Sequence, residues 1–215
     1  MKAIISPRKK PRQDRSQATV DVIFEAAARI FEKVGFQAAT TNAIAERAGV
    51  SVGSLYQYFP NKLAVLSALR ERHFEEKMQK LADACDRGCA TSLVDGVRLI
   101  SEVNAAHHIG GRTLTHVFHT ELPPIWPDRI GRPCVTHFRE RLRVFLETHR
   151  ERIRVDVEQA VFFTLALGAS VIKSALVDRP QDIENGVIAR ETTEAILLFL
   201  TGSPSGRPAR TQVVA

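Results

Sequence analysis

Apolar positions recur every three or four residues along most of the chain, and no useful stretch has the two-residue alternation of a strand. At the N-terminal end this repeat runs from Val20 to Val34, and Gly35 follows it. Glycine commonly ends a helix because it accepts a left-handed backbone. The pattern predicts a first helix over 16–34 and an all-α fold.

The next stretch, from Thr40 to Lys62, predicts two short helices with a tight turn between them. Thr40 and Ser51 are N-cap residue types, and Gly49 lies where the first of these helices would end. Pro60 would end the second helix. Such an arrangement is a helix-turn-helix, whose second helix enters the major groove of DNA.

The rest of the pattern predicts a long fourth helix from about Asn61 to Arg87 and then a helical body. Pro123, Pro124, Pro127 and Pro180 break the body. Its predicted helices are Ser92–Ala106, Thr113–Thr120, Asp128–His149, Val155–Leu176 and Asn185–Leu200. We expect a disordered basic arm over 1–15, a DNA-binding domain over 16–62, a helical body over 63–201 and a flexible tail over 202–215.

Charge changes this picture by setting the N-terminal part apart from the body. The 215 residues carry a net charge of +6, and residues 1–62 hold ten Lys/Arg against five Asp/Glu, which leaves +5 there and +1 elsewhere. A basic module on a nearly neutral body favours nucleic acid as the partner. The basic segment Arg8–Arg15 fits two interpretations equally: a solubilising tail, or an arm that reaches phosphates or the minor groove.

Side-chain chemistry assigns roles within the helix-turn-helix. The start of a recognition helix meets base edges, and hydroxyls or a lysine at a helix start suit phosphates. The alternative is a plain helical hairpin with ordinary caps, although two outward tyrosines, a serine and a glutamine are unusual for a merely solvated face. The candidate DNA-contacting residues are Thr40, Thr41, Arg47, Ser51, Val52, Gly53, Ser54, Tyr56, Gln57, Tyr58, Asn61 and Lys62.

The stretch also resembles a known family. It reads Thr40-x-x-x-Ile44-Ala45-x-x-Ala48-Gly49-Val50-Ser51-x-Gly53-x-Leu55-Tyr56-x-Tyr58-Phe59-x-x-Lys62, which is similar to the signature of the tetracycline-repressor (TetR) family. The resemblance covers the N-terminal quarter of the chain and departs at Tyr58, where many members have histidine. It implies an all-helical homodimer that represses transcription and is released from a palindromic DNA operator by a small molecule.

For the body, the resemblance implies a dimer made by the last two long helices and an effector pocket among the middle helices. The alternative for both residue sets is intramolecular core. Candidate dimer residues are Phe163, Leu167, Gly168, Val171, Ile196 and Phe199. Candidate lining residues for a small, largely apolar effector are Val103, His107, Phe118, Leu122, Trp126, Phe138, Phe162 and Leu165.

Other chemistry is sparse. The three cysteines have no zinc-like spacing, which favours reduced thiols and a cytoplasmic protein, with packing as the role of Cys85 and Cys89 and redox sensing as the alternative. His116 and His119 suit two metal ligands, but no acidic or cysteine partner completes a site, so we expect no metal or other cofactor.

Two further classes are weighed against the regulator. The most apolar segment, Ala160–Ile172, is too short to span a membrane. The chain has no nucleophile elbow, phosphate-binding glycine loop or metal triad, which argues against an enzyme. The remaining alternative is an activator or architectural DNA-binding protein without an effector.

Overall fold

A computed structural model describes residues 14–107, 114, 117–118, 121–122 and 132–203. Within these ranges the chain is helical with short connections and contains no strand, which confirms the all-α prediction. A 3₁₀ turn covers Arg150–Arg152. The described α-helices are α1 (Asp14–Ala38), α2 (Thr41–Ala48), α3 (Val52–Tyr58), α4 (Lys62–Gly88), α5 (Leu93–Ala106), α6 (Arg132–Thr148), α7 (Val157–Asp178), α8 (Pro180–Glu184) and α9 (Val187–Thr201).

The regular part of α1 ends at a glycine. Gly35 has φ 74° and ψ 169°, a conformation that side-chain-bearing residues rarely adopt. The predicted end at Val34 is therefore confirmed, and a short helical segment continues beyond the break to Ala38. The helix begins at Asp14, slightly before the predicted start.

The caps of the helix-turn-helix are those that the sequence predicts. Thr40 Oγ1 accepts a hydrogen bond from the Ala43 amide at 3.1 Å, and Ser51 Oγ accepts one from the Ser54 amide at 3.0 Å. Gly49 has φ 68° and ψ 27°, the left-handed conformation that ends α2. These contacts satisfy amide groups that the first turn of a helix leaves without partners.

The described residues divide into two compact units, and the first contains the helix-turn-helix. Unit one comprises Met1–Phe74 and Gly111–Ile130. In its core, Phe24 and Phe59 lie with ring centroids 5.6 Å apart, and Phe31 is fully buried. Leu114, Val117, Phe118 and Leu122 belong to the same core. Buried apolar side chains from α1 to α4 therefore fix the orientation of α3 within this unit.

Unit two comprises Glu75–Gly110 and Gly131–Ala215, so α4 contributes residues to both units. Within unit two, α5, α7 and α9 pack against one another, and α6 packs on α7. The Asn104 side-chain amide donates a hydrogen bond to the Gly168 carbonyl at 3.1 Å, which ties α5 to α7. Small apolar faces allow this packing, since Ala105, Ala175 and Ala189 are buried in one cluster.

Two glycines of unit two lie where helices approach closely. A Cβ atom added to Gly96 would lie 2.4 Å from the Phe145 ring and 3.3 Å from the Cα atom of Gly88. Phe145 is itself fully buried. The packing of α4, α5 and α6 around this ring therefore requires glycine at position 96.

The body differs from the sequence prediction in detail. Pro180 was expected only to separate two helices, but it begins α8, because proline suits the first helical position, where no amide bond is lost. The turn at Arg150–Arg152 was not predicted. The predicted helix Thr113–Thr120 and the breaks at Pro123, Pro124 and Pro127 lie wholly or largely outside the described residues, as do the arm over 1–13 and the tail beyond 203.

Among the described residues, α7 is long and apolar enough to cross a membrane by length and composition. It runs for 22 residues, beyond the apolar segment Ala160–Ile172 that the sequence picks out. This is a weak indication, because core helices pass the same test. The face carrying Ala160, Val161 and Ile172 is buried within unit two.

Candidate nucleic-acid interface

The recognition helix α3 divides into a buried and an exposed side. Leu55 is fully buried and Phe59, which follows the helix, is 2% exposed. Val52, Gly53, Tyr56 and Gln57 are exposed, and Ser54 and Tyr58 are half-buried. Leu55 and Phe59 therefore mark the side of this segment that packs into the core. Tyr58 differs in part, because its ring packs against the core of unit one.

Gly53 leaves open space at the start of α3. The nearest atom to an added Cβ would be Ser51 Oγ at 3.8 Å, an ordinary contact distance. The backbone of Gly53 is not in the left-handed region that demands glycine. Internal packing therefore does not require a glycine here, and the bare backbone surface faces outward.

The serines at the start of α3 form a small polar cluster. Ser51 Oγ and Ser54 Oγ lie 2.8 Å apart, and Ser51 also caps the helix. Because one hydrogen serves the bond between the two hydroxyls, the other can reach a partner outside the protein.

A second hydroxyl pair joins α2 to α3. Thr41 Oγ1 and Tyr56 Oη lie 3.1 Å apart, and either oxygen can donate. One hydroxyl hydrogen of the pair stays available to an external acceptor such as a phosphate oxygen. Tyr56 is 40% exposed, so that acceptor can approach from solvent.

The polar residues flanking these helices have structural contacts as well. Thr40 is exposed and caps α2, and Arg47 is exposed in the last turn of that helix. Asn61 Oδ1 accepts a hydrogen bond from the Ala64 amide at 2.8 Å, which caps α4. The arm residues 1–13 lie outside the described residues.

Lys62 has contacts that its place at the start of α4 did not suggest. Its ammonium donates to the carbonyls of Phe36 at 2.8 Å, Gln37 at 2.9 Å and Ala39 at 3.1 Å. It also lies 4.6 Å from the centroid of the Phe36 ring. The sequence indicated a phosphate for this ammonium, whereas all three of its N–H donors here serve the protein backbone.

Comparison with known proteins agrees with this geometry. A family model described as "Bacterial regulatory proteins, tetR family" matches residues 23–69, which cover most of α1, all of α2 and α3, and the start of α4. Over residues 23–69 the chain belongs to the TetR family. The similarity predicted from the motif at Thr40–Lys62 is thereby confirmed.

Two curated relatives each match part of this chain. The transcriptional repressor KstR of Mycolicibacterium smegmatis is 45% identical over 53 residues, which are 25% of this chain and 26% of KstR. The class A tetracycline repressor protein from transposon 1721 of Escherichia coli is 30% identical over 92 residues, or 43% of each chain. The matched part thus spans about a quarter to under half of these relatives.

The fold likeness extends further than the sequence likeness. A TetR-family transcriptional regulator from Mesorhizobium loti is 17% identical, with a TM-score of 0.65 over 86% of this chain and 98% of its own. At that identity the likeness concerns the fold alone. The helical body therefore shares its fold with that regulator, at low sequence identity.

The predicted effector residues do not meet in one unit. Phe118 and Leu122 are buried in the core of unit one, where Phe118 lies 5.7 Å from the His73 ring. Trp126 lies outside the described residues. The other five are in unit two, where Phe138 is buried and Phe162 is 69% exposed; Val103, His107 and Leu165 are half-buried. The exposure of Phe162 does not fit the lining of an enclosed pocket.

The predicted dimer residues occupy α7 and α9 in unit two. Phe163 and Phe199 stack with ring centroids 3.8 Å apart and an interplanar angle of 15°. They line an open groove of about 540 Å³ together with Glu158, Gln159 and Phe162. Leu167, Gly168 and Val171 are half-buried, whereas Ile196 is 2% exposed and has almost no surface left to offer a partner.

Two further exposed apolar side chains on α7 and α9 were missed by the sequence assignment. Val177 is 78% exposed and Leu198 is 50% exposed. The sequence of α7 is apolar on nearly every side, which predicts a helix that is covered on several sides. This pattern does not show which of those sides packs against the rest of the same chain.

None of the three cysteines forms a disulfide within the part of the chain that the structure describes. Burial, with Asp86 and Cys89 nearby, raises the pKa of the Cys85 thiol far above its usual range. Cys85 is also fully buried, which is consistent with the packing role that the sequence predicts. His116 and His119 lie outside the described residues.

Proposed function

We propose that this TetR-family regulator is a homodimeric transcriptional repressor that binds a palindromic operator and is released by a small molecule. The observation that carries the proposal is the exposed side of α3. It presents Val52, Gly53, Tyr56 and Gln57 to solvent while Leu55 anchors the helix in the core. A helix that is anchored in the core on one side and exposed to solvent on the other is suited to reading the major groove.

The DNA contacts divide by chemistry. Val52, Gly53 and Ser54 would meet base edges, because they lie at the N-terminal part of the recognition helix. The hydroxyl pair of Thr41 and Tyr56, with the Thr40 hydroxyl and Arg47, would meet phosphates. Gln57, Ser51, Asn61 and Tyr58 would complete the surface.

Self-association would use α7 and α9. The stacked Phe163 and Phe199 and the exposed Phe162 line an apolar groove, and Val177 and Leu198 are further exposed apolar side chains on the same two helices. A two-fold dimer would cover these side chains and would place two recognition helices on the two halves of a palindrome. We therefore place Phe162 with the dimer face instead of the effector pocket.

Release would follow from a shift between two dimer geometries. In one geometry the recognition helices would fit the operator, and in the other they would not. An effector that binds the second geometry more tightly would lower the affinity for the operator, and its effect would be limited by the difference between its affinities for the two geometries. The effector is expected to be small and largely apolar. An activator or architectural protein without an effector would bind DNA equally but show no such coupling. Binding to chromosomal DNA implies a cytoplasmic location.

The proposal is tested by selecting bound sequences from random duplex DNA with the full chain. A palindromic consensus is the expected result, because each α3 of a dimer would read one half-site. Recovery of sequences without a consensus would contradict sequence-specific operator binding. A consensus without two-fold symmetry would contradict the symmetric dimer.

The effector part needs a separate measurement. Thermal melting in the presence of small apolar compounds should identify one that raises the melting temperature, since a ligand that binds only the folded state stabilises it. That compound should also release the selected duplex. A stabilising compound that leaves DNA affinity unchanged would favour a protein without effector control.

A further inference from the structure

The ammonium of Lys62 closes the helix-turn-helix at its two ends. The chain enters α2 through Ala39 and Thr40 and leaves α3 through Phe59 to Lys62. Lys62 Nζ donates to the Ala39 carbonyl at 3.1 Å, so it joins the residue before this segment to the residue after it. Its bonds to the Phe36 and Gln37 carbonyls, at 2.8 and 2.9 Å, extend the clamp to the end of α1.

Electrostatics explain why a cation lies here. A positive charge at the start of α4 opposes the dipole of its own helix. The same charge lies at the end of α1, where the chain leaves regular helix at Gly35 and carbonyls lack helical partners. The Phe36 ring, with its centroid 4.6 Å from Nζ, adds a cation–π contact. A lysine is therefore favoured by the carbonyls at the end of α1, whereas the dipole of α4 opposes it.

Geometry separates lysine from arginine at this position. An ammonium has three donors in a tetrahedral arrangement, and three carbonyl oxygens lie between 2.8 and 3.1 Å from it. A guanidinium is a planar fork and cannot direct its donors at these three oxygens in the same way. Turning the ammonium toward a phosphate would leave partly buried carbonyls without their donor.

We propose that Lys62 is a positioning residue that clamps the two ends of the helix-turn-helix and so orients α3 for base reading. The inference rests on the proposed DNA-binding function and gives Lys62 a role other than phosphate contact. It makes the angle of α3 depend on a single side chain from α4.

The test compares Lys62→Arg and Lys62→Met with the controls Lys33→Arg and Lys33→Met, since Lys33 is an exposed lysine of α1. Each variant is melted without DNA. Its affinity is then measured, well below melting, for the selected duplex and for a shuffled duplex of equal length, over a range of salt concentrations.

Both Lys62 variants should melt about 5 °C lower than their Lys33 counterparts. Both should lose about tenfold in affinity for the selected duplex, comparable with one lost base contact, and keep their affinity for the shuffled duplex. For Lys62→Arg, the salt dependence should equal that of wild type. A variant that no longer prefers the selected duplex but still binds the shuffled duplex normally shows an effect that lower stability alone does not produce.

Other outcomes overturn the proposal in distinguishable ways. A phosphate contact would leave Lys62→Arg close to wild type, while Lys62→Met would bind both duplexes less and show a salt slope lower by about 0.9 for each protomer. If the Lys62 variants melt at lower temperatures but keep their preference for the selected duplex, Lys62 only stabilises the protein and does not orient α3. Wild-type protein that prefers no duplex would contradict the proposed function itself, and the melting data would then show only whether the clamp stabilises unit one.

Discussion

Gly53 is the residue of α3 whose missing side chain has no explanation within the protein. Because space is open around it, Gly53→Ala should raise the free energy of unfolding by about 0.5 kcal/mol through better helix propensity. The same methyl group would stand between α3 and a base edge, so operator affinity should fall about tenfold. Chemical denaturation and DNA titration of one preparation check both. Unchanged affinity would contradict close approach at Gly53.

Ser54 and Tyr56 should differ in what they do for DNA binding. Tyr56→Phe removes the hydroxyl paired with Thr41 and should weaken binding to all operator variants about equally. Ser54→Ala should instead change preference at particular base pairs, by about 1–3 kcal/mol at the affected position. Titration against a panel of single-base operator variants separates these effects. Identical profiles for the two variants would contradict this division of roles.

Individual residues also show which contacts could be predicted from the sequence and which could not. Local roles, such as the caps at Thr40 and Ser51, were predicted because the donor and acceptor lie three residues apart. The contacts of Lys62 were not, because the carbonyls of Phe36 and Gln37 lie 26 and 25 residues away along the chain. No local pattern specifies which distant carbonyls will meet an ammonium.

At the scale of elements, the junction of α4 and α5 depends on Gly96. A Cβ atom there would lie 2.4 Å from the buried Phe145 ring, so Gly96→Ala should destabilise the protein by about 2 kcal/mol through overpacking. The melting temperature should fall by about 4–8 °C. Gly53→Ala is the matched control, since the same substitution in open space should not lower it. A melting temperature like that of wild type would mean that α5 shifts freely.

The helices themselves were largely predictable, and the reasons are physical. Apolar spacing and caps are local, so α1 to α5 were placed within a few residues. The short α8 was missed because proline both breaks a preceding helix and begins a following one, and sequence alone did not choose between these at Pro180.

At the scale of the whole molecule, the exposed apolar surface on α7 and α9 should be a self-association face. Phe162→Glu should shift the protein from dimer to monomer, because it places a charge at the groove beside Phe163 and Phe199. Sedimentation velocity measures this directly. Val22→Glu, at an exposed valine of α1, is the control and should leave the dimer intact. A dimer that persists in Phe162→Glu would contradict this face.

The division of the body into core, pocket and dimer surface could not be predicted from its sequence. Phe162 and Phe163 are adjacent and alike, yet one is exposed and the other stacks on Phe199. Apolarity indicates that a residue will be covered, but not whether its own chain, a second copy or a ligand covers it.

The most direct measurement is the affinity of the full chain for the selected palindromic duplex, titrated by fluorescence anisotropy against salt concentration beside a shuffled duplex. A clear preference for the palindrome is expected, because each α3 of a dimer would read one half-site. The affinity should also fall about a hundredfold or more between about 50 and 200 mM salt, because phosphate contacts release bound counterions. Equal affinity for both duplexes would contradict sequence-specific operator binding, and an affinity that does not change with salt would contradict the proposed phosphate contacts.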